Sequence, residues 1–473
     1  MENFPPLIFP AGSSATTNTT TTADDDISLQ EWPSPQLNWS PETLHPYFAA
    51  APHMSSTNSS PAENPSSPIT PPIDSDKDRR FIHLLTAAAE ALSGHVDGRD
   101  LARVILVRLK ELISTDNTAS SFERLSAHFT DALTALLDGF NASPNRGEPN
   151  QLPRHLYPAT EVLTAFQLLQ DMSPLASFGH LTANQAILEA VSGERRVHII
   201  DYDIAEGIQW ASLIQAMASR YDGAPTPHLK ITAVTNGRRR SASEAKEAGR
   251  RLTNFAASVG QPFSFRLCRG RLDQQKRFQP VAVKVVKGEP LVVNCVLHSG
   301  QNGYSHGSVA SVGSFLLSAA ELGARLVTVI EEEVGGESVG EEKGSFLRRF
   351  VVELQRYKAI WESLEDGFPK QGRVREMVER VILGPRIFAA VRRAYGRNES
   401  GVPSGEWMAA VGFKRVDLSF FNHCQARLLL GFFNEGYRVE DDASNKIVLS
   451  WKSRRLLSAS VWIPTLRSPS PAF

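Results

Sequence analysis

The sequence predicts an α/β fold: a Rossmann-like, mostly parallel sheet with an N-terminal helical cap, preceded by a disordered tail. Three observations predict it. The first is RRVHIIDYDIAEGIQWASLIQAMASR, from Arg195 to Arg220. Its β-branched run Val197, Ile199, Ile200 suits a strand buried on both faces. Beyond Gly207, Ile208, Ala211, Leu213, Ile214 and Met217 take helical spacing. The second is alternation downstream, with strand patterns over 229–234, 262–267, 291–297 and 325–331 and helical patterns over 243–259 and 308–322. Strands alternating with helices imply right-handed βαβ units and a parallel sheet. The third is residues 1–76, rich in Ser, Thr, Pro and Asn and almost without apolar periodicity, which cannot offset the entropy of ordering.

Within that tail, DDDISLQEWPSPQLNWSPETLHPYF sets Trp32, Trp39, Tyr47 and Phe48 among acidic residues and prolines, the pattern of segments that fold on a partner. Ordered structure is expected from Arg79. Helical stripes run Phe81, Leu84, Leu85, Ala88, Leu92; then Leu101, Ile105, Leu109, Leu112; then Phe122, Leu125, Phe129, Leu133, Leu136. Three such helices before the first strand make a cap. The third contains LTALL, where Leu133, Leu136 and Leu137 have the spacing of a ridge that fills a partner's groove, though spacing alone favours ordinary core leucines. A Gly, Pro and Asn-rich linker covers 141–153, and helices over 161–172 and 183–191 lead to the central strand. Helices over 345–364 and 374–395, then mixed elements over 416–462, close the chain.

Composition narrows the function. A formal charge of -1 over 473 residues gives no global basic field, so contact with nucleic acid or membrane has to be local. Cys268, Cys295 and Cys424 fit no metal-ligand spacing and are expected as free thiols in a reducing compartment. MENFPPLIFPAG lacks the basic and apolar regions of a signal peptide, and no apolar stretch approaches the roughly 20 residues that span a bilayer. A cytoplasmic or nuclear protein without membrane insertion is expected.

In open α/β folds the carboxyl edge of the sheet binds ligands. Asp201 and Asp203 fall at that edge. Gln209 and Trp210 open the next helix, while Asn294, Cys295 and His298 and Glu331 to Glu333 approach from neighbouring strands. Asp203, Gln209, Trp210, Asn294 and His298 form the candidate cleft. A nucleotide or S-adenosylmethionine site needs glycines after the first strand. Here DYDIAEG has Gly207 alone, and KITAVTNG ends in Thr235 and Asn236, with no acidic residue to hold a ribose. No catalytic residue, cofactor or metal is therefore expected. His198, inside the strand, reads as a hydrogen-bonded core residue. Arg238, Arg239 and Arg240, with Arg250 and Arg251 beyond them, form a basic patch suited to phosphate contact or nuclear import, diluted by Glu244 and Glu247.

Val197-His198-Ile199-Ile200-Asp201 is the VHIID motif of the plant GRAS-domain regulators, and the order of blocks resembles theirs. In that frame 77–465 is the GRAS domain. Its first leucine-rich region covers 79–187, the VHIID region 195–220, the second leucine-rich region 229–297, a degenerate PFYRE region 290–393 and the SAW region 407–462, with Trp407, Trp451 and Trp462. The chain has SASVW where the last name implies Ser-Ala-Trp. Segments such as HLLTAAAEALSG, RDLARVILVRLKEL and FGHLTANQAILEAV resemble the nodulation-signalling group of the family. The resemblance implies a nuclear transcriptional regulator of nodulation or mycorrhizal programmes. It implies a methyltransferase-like sheet without catalysis, pairing with another GRAS protein through the cap as a hetero- or homodimer, and DNA-bound transcription factors through which DNA is reached indirectly. It also favours Leu133, Leu136 and Leu137 as partner-binding residues. Two other readings stand beside it: a sequence-specific DNA-binding module using Arg238 to Arg240, and a small-molecule-binding methyltransferase-like domain.

Overall fold

The computed structural model describes residues 74–93, 98–113, 119–139, 157–202, 204–219, 225–235, 239–269, 283–297, 308–333, 346–368, 372–396, 408–442 and 445–465. The tail before Asp74 lies outside them, as do Asp203, Arg238, His298 and Trp407.

The described chain begins with α1 (Asp74–Ser93), α2 (Gly98–Leu112) and α3 (Ser121–Gly139). α3 starts on a reciprocal cap: Ser120 Oγ accepts from the Glu123 N–H at 3.2 Å and Glu123 Oε2 from the Ser120 N–H at 3.3 Å. Lys77 of α1 reaches the same buried carboxylate at 2.8 Å, which ties two cap helices at one point. α4 (Ala159–Met172) and α5 (Pro174–Ala190) are separated by one residue. Ser173 is extended there (φ -154°, ψ 141°), its hydroxyl accepts from the Leu175 N–H, and Pro174 supplies a first helical residue with no N–H to satisfy. α5 accordingly begins nine residues before Ala183, where the apolar run alone had placed it.

The sheet then builds from β1 (Arg196–Tyr202), α6 (Ile208–Ala218), β2 (His228–Thr235), α7 (Arg239–Ser258), β3 (Phe263–Arg269), β4 (Leu291–Leu297), α8 (Ser308–Glu321) and β5 (Leu326–Glu332). These strands run parallel in the order β3-β2-β1-β4-β5. α9 (Phe346–Gly367), α10 (Gly372–Val378), a π-helical turn (Glu379–Leu383) and α11 (Gly384–Tyr395) follow. The last elements are β6 (Phe413–Val416), α12 (Phe420–Leu430), β7 (Tyr437–Asp442), β8 (Lys446–Trp451) and β9 (Arg454–Pro464). β9 pairs antiparallel with β5 and continues the sheet through β8 to β7, while β6 also pairs with β9. This is the Rossmann-like, methyltransferase-like arrangement the sequence predicts. β1, β4 and β5 are buried almost throughout because helices cover both faces.

The cap extends beyond residues 79–187. α9 and α11, from later in the chain, pack against α3: Phe129 meets Phe350 and Tyr357 edge-on, with ring centroids 5.5 and 6.1 Å apart. Arg124 of α3 pairs with Glu379 at 2.8 Å and Glu365 at 3.2 Å, binding the cap to the π turn and α9. Arg356 of α9 takes Glu332, at the end of β5, at 2.9 Å and Glu353 at 3.0 Å, so the cap is also fastened to the sheet edge. Two readings of the cap stripes change. Leu133 and Leu137 are buried and Leu136 half-buried, all three packed within the cap core, as an amphipathic helix inside a bundle requires. In α2 the inward face is Ala102, Leu106 and Leu109, which leaves Leu101 exposed. Apolar residues also stand on its outer face, at Leu101, Val104 and Val107, so the stripe can be drawn in more than one phase.

Candidate functional site

At the carboxyl edge of β1 the polar side chains engage one another. Gly207 caps α6 in the left-handed region (φ 74°), so its lack of a Cβ serves the turn. This delivers Gln209 and Trp210 inward on the first turn of α6, both buried. Trp210 Nε1 donates to Asp201 Oδ2 at 2.6 Å, and Asn294 Nδ2 donates to Asp201 Oδ1 at 3.0 Å. The amides of Gln209 and Asn294 exchange hydrogen bonds at 3.1 and 3.2 Å. Thr328 Oγ1 on β5 donates to Asn294 Oδ1 at 2.7 Å, and Asn184 Nδ2 on α5 donates to the Gln209 carbonyl at 2.9 Å. A connected polar network thus runs from β1 through α6 and β4 to β5 and α5. Its members are buried and satisfied by one another, the condition under which such a network specifies a single arrangement.

Of the candidate cleft residues, the structure brings Trp210 and Asn294 onto Asp201 and Gln209 onto Asn294; Asp203 and His298 lie outside the described residues. Asn184 and Thr328 complete the cluster and were missed by sequence reasoning. Thr328 sits opposite Asn294 in the parallel register, a relation readable only once strand order is known. His198 Nε2 meets Thr232 Oγ1 at 2.8 Å inside the sheet, and burial, with Lys230 and Arg266 nearby, pushes its pKa down to about 3. Burial and the Asp201 carboxylate push the Cys295 thiol well above its usual range, the reverse of what a nucleophile needs. Glu332 and Glu333 are engaged by Arg356 and Lys446, at 2.9 and 2.6 Å. Among the described residues no group of three or more His, Cys, Asp and Glu is placed to hold a metal.

A cleft between cap and sheet borders this network. Phe166, Gln170, His180 and Arg386 line its cap side, and Asp201, Ile204 to Trp210 and Val296 its sheet side. The Arg386 guanidinium lies 5.8 Å from the Phe166 ring centroid. Arg239 and Arg240 open α7. Arg250 pairs with Glu247 at 2.7 Å, so part of the basic patch is neutralised on its own helix. Trp451 and Trp462 are buried, Trp462 donating to Ser460 Oγ at 2.9 Å with Arg415 4.4 Å above its ring. No described helix is long and apolar enough to cross a membrane.

Comparison with known proteins agrees with this geometry. The chain is 52% identical over 402 residues to Protein NODULATION SIGNALING PATHWAY 2 of Medicago truncatula, covering 82% of this chain and 77% of that protein. It is 46% identical over 398 residues to Scarecrow-like protein 26 of Arabidopsis thaliana, covering 83% and 79%. The crystal structure of SCL7 in Oryza sativa superposes with a TM-score of 0.60 at 29% identity, over 81% of this chain and 99% of that one. The model of the GRAS domain family matches residues 81–463, and the chain belongs to that family.

Proposed function

We propose that the chain is a nuclear, non-catalytic transcriptional regulator of root symbiosis that acts through protein partners: another GRAS protein, and DNA-bound transcription factors through which it reaches DNA. The observation that carries this reading is the engagement of Asp201. Both of its oxygens take hydrogen bonds from Trp210 and Asn294, so the carboxylate that catalysis at this edge would use is engaged by the protein's own donors. Apolar surface lies elsewhere. Leu101, Val104 and Val107 on α2 and Phe420, Phe421, Leu428 and Phe432 on and after α12 are exposed, the kind of surface that marks protein contact. The names of the relatives from Medicago truncatula and Lotus japonicus support nodulation signalling as the setting.

Light scattering on the full chain, alone and mixed with a second GRAS protein and then with promoter DNA, tests this. A mixed complex that binds DNA while this chain alone does not is the expected result. DNA binding by this chain alone, falling steeply with salt, would replace it with the direct reading through Arg238, Arg239 and Arg240. The cleft beneath Arg386 favours the small-molecule reading as the second one. Calorimetry with S-adenosylmethionine and nucleotides tests that, and no heat at millimolar ligand ends it.

A further inference from the structure

The formal charge of -1 conceals a division: residues 1–76 hold nine Asp and Glu and no Lys or Arg, so the tail carries -9 and the remainder +8. On the domain, exposed apolar and basic groups coincide on α2. Leu101, Val104 and Val107 are 57%, 66% and 52% exposed and form one inclined row. Arg99, Arg103, Arg108 and Lys110 share the helix with only Asp100 and Glu111. The pairs Arg103–Asp100, Arg108–Glu111 and Lys110–Asp131 are exposed, and such pairs exchange partners at little cost. The tail segment from Asp24 to Trp32, DDDISLQEW, carries the complement: Asp24, Asp25, Asp26 and Glu31 around Ile27, Leu29 and Trp32.

We propose that the exposed face of α2 is a docking site for an acidic, aromatic peptide, and that its occupant is this chain's own segment 24–32. The apolar side chains cover Leu101, Val104 and Val107, and the carboxylates face the arginines and Lys110. Chain length permits it. Forty-one residues separate Trp32 from Asp74, and an ideal chain of that many residues has an end-to-end distance of about 35 Å. That matches the roughly 30 Å of α1, the helix against which α2 packs. Tethering sets the local concentration on the order of millimolar, so a weak contact is populated. Any partner using α2 then has to displace the tail. The docking itself is intramolecular and stands without such a partner.

The test is carbodiimide coupling of the full-length chain, which joins a carboxylate to a lysine amine at contact distance, followed by peptide mass spectrometry of the monomer fraction. Amide links from Asp24, Asp25, Asp26 or Glu31 to Lys110 are expected. Trp32→Ala and Val104→Asp should each reduce them about tenfold, as loss of an anchoring residue does. Val104 is exposed, so its variant keeps the fold, which circular dichroism checks. Yields unchanged in both variants, equal coupling to lysines elsewhere on the domain, or links confined to a dimer fraction would each overturn the proposal, the last assigning the face to a second copy.

Discussion

Asp201 and Asn294 stand opposite each other in the parallel register of β1 and β4, and their side chains are joined at 3.0 Å. The pair fixes the β1–β4 junction from within. Because Trp210 Nε1 takes the other carboxylate oxygen, the same aspartate sets the angle at which α6 leaves the sheet.

Asp201→Ala should therefore destabilise the fold by about 2–5 kcal/mol, since it strands two buried donors at once. Asp201→Asn keeps the shape and one acceptor, and should cost less. Urea unfolding followed by tryptophan fluorescence measures both. Equal stability of Asp201→Ala and the parent chain would show that water replaces the carboxylate.

The parallel half of the sheet was legible because β-branched runs buried on two faces leave a local signal, as Val197, Ile199 and Ile200 do. What covers them was less legible. Phe129 and Phe350 meet across more than two hundred residues of sequence, and nothing in either helix announces the other. Asp201, Gln209, Trp210 and Asn294 were legible as edge residues. Their mutual saturation was not, because hydrogen-bond pairing depends on distances that spacing alone does not give. α2 was misphased for a physical reason: with apolar residues on several faces, only packing against α1 and α3 decides which face turns inward.

Burial of Leu133 yields a prediction that separates core from interface. Leu133→Ala should cost about 2–5 kcal/mol, with a lowered Tm in thermal denaturation. Leu428→Ser, on the exposed face of α12, should leave Tm within a degree or two and act only on partner binding. A pull-down well below the lowered Tm, in which Leu133→Ala still captures the partner, would place that leucine in the fold alone.

One buried and one half-buried histidine predict the acid limb of stability. His128 is pushed down to about 4 by burial and by Arg124, and His198 to about 3. Both are neutral in the folded chain, while the unfolded chain protonates them near 6.5. Stability is full above that value and falls as pH drops, because the unfolded state then binds more protons. Between pH 6.5 and 5 each histidine should remove about 1.5 kcal/mol. His128→Gln should lower the slope by that share in a series of urea titrations over that window, and an unchanged slope would mean that His128 is solvated.

Tyr437 predicts how the C-terminal strands hold the cap. The Ser363 hydroxyl donates to the Ile360 carbonyl at 2.7 Å, so it accepts from the Tyr437 hydroxyl at 2.8 Å. Ser173 Oγ, which accepts from the Leu175 N–H, then donates to the Tyr437 oxygen across 3.0 Å. Hydrogen bonds thus run in one direction from the first turn of α5, through β7, into α9. Tyr437 also packs edge-on against Trp451 at 4.8 Å, so the ring is held whether or not the hydroxyl is present. Tyr437→Phe should break the chain without opening a cavity, at a cost of about 1–3 kcal/mol. The hydroxyl also contributes to the alkaline behaviour. Burial pushes its pKa up to about 12, whereas the unfolded chain releases that proton near 10, so stability falls as pH rises past 10. In the phenylalanine variant that share of the alkaline loss should vanish. Stability curves at pH 9 and 11 for the two chains distinguish a structural hydrogen-bond chain from a hydroxyl that merely fills space.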